Sequence, residues 1–152
     1  MSAGPHLLII EARFYTHLSD FLAAGAIKAI EAHKGTYRRI EVPGSLEIPG
    51  VVRMAVEAME RGATEERFDG FVALGCVIRG ETSHYDHVCQ ESIRGLQELV
   101  LRHGIAVGMG ILTCENEAQA SERARPDRGN KGAAAAEAAL TMIAVRRSFR
   151  LP

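Results

Sequence analysis

The chain has 152 residues, with 18 basic and 19 acidic side chains and a formal net charge of −1. One domain is expected at this length, and it can bury roughly 70% of the surface that the unfolded chain exposes. The balanced charge argues against a general nucleic-acid-binding protein, which requires a basic face, and the 47% apolar content is that of a globular domain rather than a disordered chain.

In the first half of the chain, short apolar runs alternate with segments of helical periodicity. Residues 6–10 are mostly apolar and predict a buried strand, and the helical spacing of apolar residues begins at Leu18. Residues 37–42 predict a second strand, which a Pro-Gly pair ends. A helix is expected over residues 47–59, since Pro49 suits a first helical turn.

The second half continues this alternation. Residues 71–74 predict the third strand, and a loop is expected over residues 75–80. The next helix is expected to run from near Thr82 to His103, with one apolar face made of Cys89, Ile93, Leu96 and Val100. The last predicted elements are a fourth strand over residues 105–113, a short helix over 115–124 and a final helix from 131 to about 147.

Strands that alternate with helices indicate a parallel sheet covered by helices on both faces. We therefore predict a single-domain, flavodoxin-like α/β fold with a four-stranded sheet, spanning residues 1–152. In such a sheet, ligands bind at the carboxyl ends of the strands, where loops lead into helix N-termini with free N–H groups. The segments at these positions are residues 11–15, 42–47, 75–84 and 113–116.

The sequence favours neither a membrane protein nor a disulfide-stabilised one. No window reaches the ~18 apolar residues of a membrane helix, and the first residues have neither a basic segment nor a long apolar core, so we expect a cytoplasmic protein. Cys76, Cys89 and Cys114 are odd in number and have no C-x-x-C spacing. They are therefore expected to be small buried side chains rather than a disulfide or zinc site.

The segment before the third helix carries the most chemistry. Gly80 permits a close backbone approach, Thr82 or Ser83 can cap the helix, and free amides at its start can bind a phosphate. A helix start that needs only a cap is the alternative. His84 follows in the first turn, where an imidazole can transfer protons near neutral pH. With His87 it forms H-x-x-H, a poor zinc motif by itself, and a structural or solvated His84 is an equal alternative on spacing alone.

Common nucleotide-binding and hydrolase motifs are absent from the sequence. It has no G-x-G-x-x-G after a strand, no G-x-x-x-x-G-K-[ST] and no G-x-S-x-G. Hydride transfer, ATP-driven chemistry and serine hydrolysis are therefore disfavoured. Arg123 and the basic stretch 125–131 can bind an anion, although charged residues between two helices are more often a solvated surface.

Two segments have highly specific patterns, V-P-G-S-L-E-I-P at residues 42–49 and G-C-V-I-R-G-E-T-S-H at residues 75–84. Four shorter segments accompany them in order, at residues 12–14, 113–116, 122–124 and 129–132. Together these segments resemble the family of 6,7-dimethyl-8-ribityllumazine synthases over nearly the whole chain. The resemblance favours a catalytic His84 over the alternatives left open by spacing.

The resemblance implies an enzyme that condenses 5-amino-6-(D-ribitylamino)uracil with 3,4-dihydroxy-2-butanone 4-phosphate, in the penultimate step of riboflavin synthesis, without a metal or organic cofactor. The family reaction proceeds through imine formation, phosphate elimination, ring closure and dehydration. Acid/base catalysis, an anion site and close positioning of two substrates suffice for it. Two alternatives share the fold: an archaeal-type riboflavin synthase, and a non-catalytic lumazine- or flavin-binding protein.

The resemblance also implies roles for individual residues. His84 would be the general acid/base, and Phe14 would stack on the pyrimidine ring. The butanone phosphate would be held by backbone amides and cationic side chains, at Glu81, Thr82, Arg123 and, as a further candidate, Lys131. The remaining residues expected to bind the aminouracil are Ser45, Leu46, Glu47, Cys76, Val77, Ile78 and Met109, the last of them at the end of the fourth strand.

Three positions depart from the family pattern. Leu46 and Met109 stand where many members carry aromatic residues, and Tyr15 replaces a frequent Asn. The loss of two stacking rings predicts weaker binding of the aminouracil, since an aromatic pair contributes about 0.5–1.5 kcal/mol.

Family sites lie between neighbouring subunits of a ring of five, and some members form icosahedral shells of twelve rings. The resemblance thus implies a homo-oligomer in which Met109 and Arg123 of one chain complete the site of the next. The short segment before the first strand and the sequence R-P-D-R at residues 125–128 favour a pentamer or a pair of pentamers over a shell. The alanine-rich run 133–139 fits helix packing in such a ring, and equally a helix in the core of one chain.

Overall fold

Four parallel strands form the centre of the computed structural model, which describes residues 4–152. Residues 1–3, part of the N-terminal segment in which no leader is expected, lie outside the described residues. The strands are β1 (His6–Ala12), β2 (Thr36–Val42), β3 (Gly70–Ile78) and β4 (Ala106–Cys114), paired in the order β2-β1-β3-β4. The predicted flavodoxin-like α/β fold with a four-stranded parallel sheet is confirmed.

Helices cover both faces of this sheet. They are α1 (Thr16–Ala32), α2 (Ile48–Glu60), α3 (His84–His103), α4 (Glu117–Ala124) and α5 (Lys131–Ser148), and a 3-10 turn, Ser45–Glu47, precedes α2. Helices α1 and α5 share one apolar core with the sheet, and α2 and α3 share the other. Within residues 4–152, no helix is both long enough and apolar enough to cross a membrane.

Strand β1 shows why the chain forms a sheet with two covered faces. Leu7, Leu8, Ile9 and Ile10 are each at most 1% exposed. Alternate residues enter opposite cores, Leu7 and Ile9 on the side of α1 and α5 and the other two on the side of α2. Each buried side chain contributes about 1.5–3 kcal/mol. An apolar run without polar alternation is therefore typical of such a strand.

Small residues let α5 lie close to β4 and α1. A Cβ atom at Gly108 would overlap the carbonyl oxygen of Ala135, and one at Gly132 would overlap that of Leu22. The neighbouring Ala135, Ala136 and Ala139 are buried. The alanine-rich run therefore packs in the core of its own chain, which accounts for its composition without a ring of subunits.

Strand β3 is longer than predicted. We expected a strand over residues 71–74 and a loop over 75–80, but the strand continues to Ile78, which pairs with Cys114 of β4. In the sequence, a glycine at position 75 indicates the end of a strand. Pairing with the long neighbouring strand β4 nevertheless extends β3 to Ile78. The connection to α3 is therefore residues 79–83. All other bounds agree with the predicted ones within two residues.

Helix α3 turns a different face to the sheet than predicted. Its buried residues are Val88, Ser92 and Leu96, whereas Cys89 and Ile93 are only half-buried. A serine is tolerated in the core because its Oγ donates to the carbonyl oxygen of Val88 at 2.6 Å. Of the predicted apolar face, only Leu96 is fully buried, because the polar Ser92 occupies a core position that the sequence pattern did not indicate.

Candidate active site

A pocket of about 400 Å³ opens at the carboxyl ends of β1, β2 and β3. It is lined by Ala12, Phe14, Tyr15, Pro43, Gly44, Ser45, Leu46, Glu47, Cys76, Val77, Ile78, His84 and Val88. The connections that follow β1 and β3, which are neighbours in the sheet, lead to helices on opposite faces, so the pocket lies at the point where the strand order reverses. Ligands of open parallel sheets bind at such a point.

Two aromatic residues of the β1–α1 connection form one wall of the pocket. Phe14 is 75% exposed, and its ring meets the ring of Tyr15 edge-on, with centroids 4.9 Å apart and an interplanar angle of 76°. Tyr15 also packs against the core on the side of α1. Burial raises the pKa of the Tyr15 phenol further above its ordinary value. Because most of its side chain is exposed, the Phe14 ring can stack on a planar ligand.

The 3-10 turn Ser45–Glu47 forms the opposite wall. Ser45 is buried, whereas Leu46 and Glu47 are exposed. A Cβ atom at Gly75 would lie 2.7 Å from the Oγ of Ser45, so glycine at this position lets the turn approach β3. This wall combines an apolar side chain with a carboxylate that can accept hydrogen bonds from hydroxyl groups.

The floor of the pocket is the carboxyl end of β3. Pairing between β1 and β3 ends at Glu11 and Leu74, but β3 continues along β4 to Ile78. Residues 75–78 therefore extend past the end of the pairing with β1. Their backbone groups on the side of β1 have no partner in that strand. Backbone N–H and C=O groups in this position can bind the polar edge of a ring. Cys76, Val77 and Ile78, expected in a loop, are thus strand residues.

His84 is the first residue of α3 and borders the pocket as an exposed side chain. Its backbone N–H donates to the Oγ1 of Thr82 at 3.3 Å. Of the two predicted capping residues, Thr82 thus supplies the acceptor, while Ser83 occupies the N-cap position without a side-chain cap. Glu81 and Thr82 are exposed beside this helix start, where the remaining free amides and the helix dipole favour an anion.

Arg79 fixes the connection between β3 and α3, a role that the sequence did not indicate. Its backbone N–H donates to the carbonyl oxygen of Cys114 at 2.9 Å. Its guanidinium lies 4.3 Å from the centre of the Tyr85 ring and donates to Glu115 at 2.8 Å. Asp86 lies 3.4 Å from the same group. The connection that carries Glu81 and Thr82 is thus attached to both α3 and the end of β4.

The thiol of Cys76 is not poised as a nucleophile. Burial raises its pKa to about 12, so the thiolate is scarce at neutral pH. Cys114 is also buried, but Cys89 is half-buried, so the expectation of buried cysteines holds for two of the three. Among residues 4–152, no group of three or more His, Cys, Asp or Glu side chains is arranged to hold a metal ion.

Several predicted site residues lie outside the pocket of their own chain: Glu81, Thr82, Met109, Arg123 and Lys131. Met109 was expected at the end of its strand, but it lies in the amino half of β4, which runs from Ala106 to Cys114. Its side chain is 43% exposed. Arg123 is exposed on α4 and donates to the carbonyl oxygen of Gln119 at 3.2 Å.

Sequence reasoning also missed some of the lining residues. Ala12 ends β1, and Pro43 and Gly44 directly follow β2, so the rule that places ligands at strand ends already pointed to their segments. Val88 lies four residues after His84, and helical spacing puts both on one side of α3. Val88 could therefore have been predicted from the helical spacing that starts at His84.

The fold and the pocket define an α/β protein with an exposed aromatic ring, a histidine and a helix N-terminus beside the carboxyl end of its parallel sheet. A family model described as 6,7-dimethyl-8-ribityllumazine synthase matches residues 4–147. The chain therefore belongs to the 6,7-dimethyl-8-ribityllumazine synthase family.

Individual relatives agree with this assignment. The chain is 49% identical over 149 residues to 6,7-dimethyl-8-ribityllumazine synthase of Bartonella tribocorum, covering 98% of this chain and 95% of the relative. Identity to the protein of the same name from Azorhizobium caulinodans is 52% over 144 residues, 95% of this chain and 88% of the relative. The chain is also 50% identical over 145 residues to the protein of the same name from Agrobacterium fabrum, covering 95% of this chain and 97% of the relative.

Proposed function

We propose that the chain condenses 5-amino-6-(D-ribitylamino)uracil with 3,4-dihydroxy-2-butanone 4-phosphate to 6,7-dimethyl-8-ribityllumazine, releasing phosphate and water. The observation that carries the proposal is the pocket in which Phe14, the turn Ser45–Glu47 and His84 surround the free end of β3. Family membership supports this reaction over an archaeal-type riboflavin synthase or a non-catalytic binding protein. A cytoplasmic location, expected from the sequence, belongs to the same proposal.

The aminouracil binds between the two walls of the pocket. Its pyrimidine ring stacks on Phe14, and its polar edge pairs with backbone groups of Cys76, Val77 and Ile78 beyond the end of β1. Glu47 accepts hydrogen bonds from the ribityl hydroxyls, and Ser45 and Leu46 complete that wall. This arrangement holds the nucleophilic amine beside His84, so that positioning itself lowers the barrier.

The butanone phosphate binds at the start of α3. Amides at Glu81 and Thr82 donate to the phosphate, and the helix dipole adds to the attraction. The Glu81 carboxylate would repel the phosphate, so only its backbone serves as a ligand. Arg123, with Lys131 as a further candidate, supplies positive charge from the neighbouring subunit.

His84 transfers the protons. The amine attacks the butanone carbonyl, and water leaves as the imine forms. Elimination of phosphate, ring closure by the second amine and loss of water then give the lumazine. Each step moves a proton between nitrogen, carbon or oxygen atoms, and an imidazole beside both substrates can accept and return it.

The chain acts as a homo-oligomer, a pentamer or a pair of pentamers, with sites between adjacent subunits. An open groove of about 1190 Å³ between α3 and β4 supports this, because its lining includes the apolar Cys89, Ile93 and Leu101. Met109, on the edge strand β4, and Arg123 lie outside the pocket of their own chain. A neighbouring chain is needed to bring such residues to a site.

The test is incubation of the purified protein with both substrates and no added cofactor. The proposal predicts lumazine absorbance together with an equal amount of released phosphate. Phosphate release without lumazine, or no reaction of either substrate, would refute it. Formation of riboflavin from added lumazine would instead identify the riboflavin synthase alternative.

A further inference from the structure

A buried carboxylate lies at the end of β1, next to the pocket but outside its lining. Glu11 is only 3% exposed. Its Oε2 accepts from the Nε of Arg39 on β2 at 2.6 Å, and its Oε1 accepts from the Nη2 of Arg39 at 2.9 Å and from the Nη1 of Arg13 at 2.8 Å. An unpaired buried carboxylate would cost several kcal/mol. Three charge-assisted hydrogen bonds therefore hold it in one place.

Arg13 connects this carboxylate to the first helix. Its second terminal nitrogen donates to Asp20 of α1, and its side chain is only 15% exposed. The guanidinium therefore bridges the end of β1 and the beginning of α1. A lysine could not do this, since one ammonium cannot present two fixed donors on opposite sides.

Phe14 lies between Arg13 and Tyr15 in a connection of only three residues, 13–15. Its side chain is 75% exposed, and its ring contacts Tyr15 edge-on. Packing into the core therefore does not determine where this ring lies. Its backbone position instead follows from the two anchored neighbours, the Arg13 guanidinium and the half-buried Tyr15 ring, which packs against the core.

The hydrogen-bond network of Glu11, Arg13, Arg39 and Asp20 also connects the two strands that lead into the walls of the pocket. Arg39 lies on β2, three residues before Val42, where the chain enters the wall that holds Ser45–Glu47. Glu11 precedes the wall that holds Phe14. Hydrogen bonds between Glu11 and Arg39 therefore link the strands from which both walls extend, without touching the pocket.

We propose that Arg13, held by Glu11 and Asp20, is a positioning residue that places the Phe14 ring for stacking on the aminouracil. The inference rests on the proposed function. Since the network contacts neither the pocket nor His84, it acts on the binding of the aminouracil and not on proton transfer. Its loss is expected to raise KM for that substrate and to leave kcat and the KM of the butanone phosphate nearly unchanged.

The test is a double-mutant cycle between Arg13→Met and Phe14→Ala, read as KM for the aminouracil and as its Kd by titration. Arg13→Met keeps the aliphatic stem and removes both hydrogen bonds. We expect it to raise KM by about 2- to 10-fold, the value of one aromatic contact, and to have no further effect in a Phe14→Ala background. Arg13→Lys should restore part of the loss. Arg53→Met, which breaks an exposed pair with Glu57, is the matched control.

Two results would overturn the positioning role. One is that Arg13→Met raises KM for the aminouracil equally in the parent and in the Phe14→Ala variant. The other is that Arg13→Met lowers kcat at unchanged KM. If Arg13→Met does not fold, Asp20→Asn replaces it in the double-mutant cycle, since it removes only the partner of Arg13 on α1. The parent protein is assayed first: if it neither binds the aminouracil nor forms lumazine, the proposed function fails and the inference with it.

Discussion

His84 and His87 lie at the start of α3, but the pocket is lined by His84 and not by its neighbour. We predict that His84→Ala lowers kcat by about 10²–10⁴-fold, the usual contribution of a positioned acid/base group, without loss of the fold. The matched control is His87→Ala, which should retain the parental rate. Initial rates of lumazine formation measure both. Equal rates for the two variants would remove His84 from the reaction.

Leu46 lies in the pocket where an aromatic residue would provide a second stacking surface. We expect Leu46→Phe to lower the Kd of the aminouracil by about 2- to 10-fold, which corresponds to the contribution of one aromatic contact. A calorimetric titration of parent and variant gives the comparison. Identical affinities would show that the leucine is not what limits binding.

Cys76 offers a test of burial at the floor of the pocket. Its pKa is raised to about 12, so the thiol stays protonated where an ordinary cysteine, with a pKa near 8.5, forms thiolate. We expect iodoacetamide at about pH 8 to label native Cys76 at least ~100-fold more slowly than the unfolded chain, since only the thiolate reacts. Peptide mass spectrometry measures this rate. Comparable labelling in both states would contradict the raised pKa.

The predicted site residues that the structure brings to the pocket belong to short motifs, such as Ser45, Glu47 and His84. The residues that hold them were not predictable in the same way. Glu11 pairs with Arg39, 28 positions away, and Arg79 pairs with Glu115, 36 positions away. Such partners are brought together by strand order, and a single sequence contains no local pattern that reports it.

At the level of elements, the sequence predicted every strand and helix but misjudged where β3 ends and which face of α3 is buried. Both errors have a tertiary cause. Residues 75–78 are a strand because β4 pairs with them, and Ser92 is buried because its own helix satisfies its hydroxyl. Local propensity does not include either partner.

Close packing of α5 on β4 gives a prediction for these elements. Gly108→Ala would push a methyl group into the backbone of α5 at Ala135, and we expect a loss of about 1–3 kcal/mol in the free energy of unfolding. Gly50→Ala on α2 is the matched control. Its Cβ would have no atom within 4 Å, so it should be neutral or gain up to ~1 kcal/mol. Urea unfolding at one protein concentration compares them, and equal stabilities would contradict the packing.

For the whole molecule, the parallel sheet and the edge at which ligands are expected could be derived from the alternation of elements, whereas the strand order and the composition of the site could not. The pocket of one chain has His84 and the two walls proposed to bind the ring, but Arg123 and Met109 lie elsewhere on the same chain. This division is what a site shared between subunits requires. It also explains how a chain of 152 residues can accommodate two substrates.

Mixing two inactive variants tests this central claim most directly. His84→Ala and Arg123→Ala are each expected to be nearly inactive at low butanone phosphate, because each lacks one half of every site. After the two are unfolded and refolded together in equal amounts, about one quarter of the sites should combine an intact His84 with an intact Arg123 from the next subunit. We predict recovery of about one quarter of the parental rate of lumazine formation. A mixture no more active than its separate components would contradict a site completed by the neighbouring subunit.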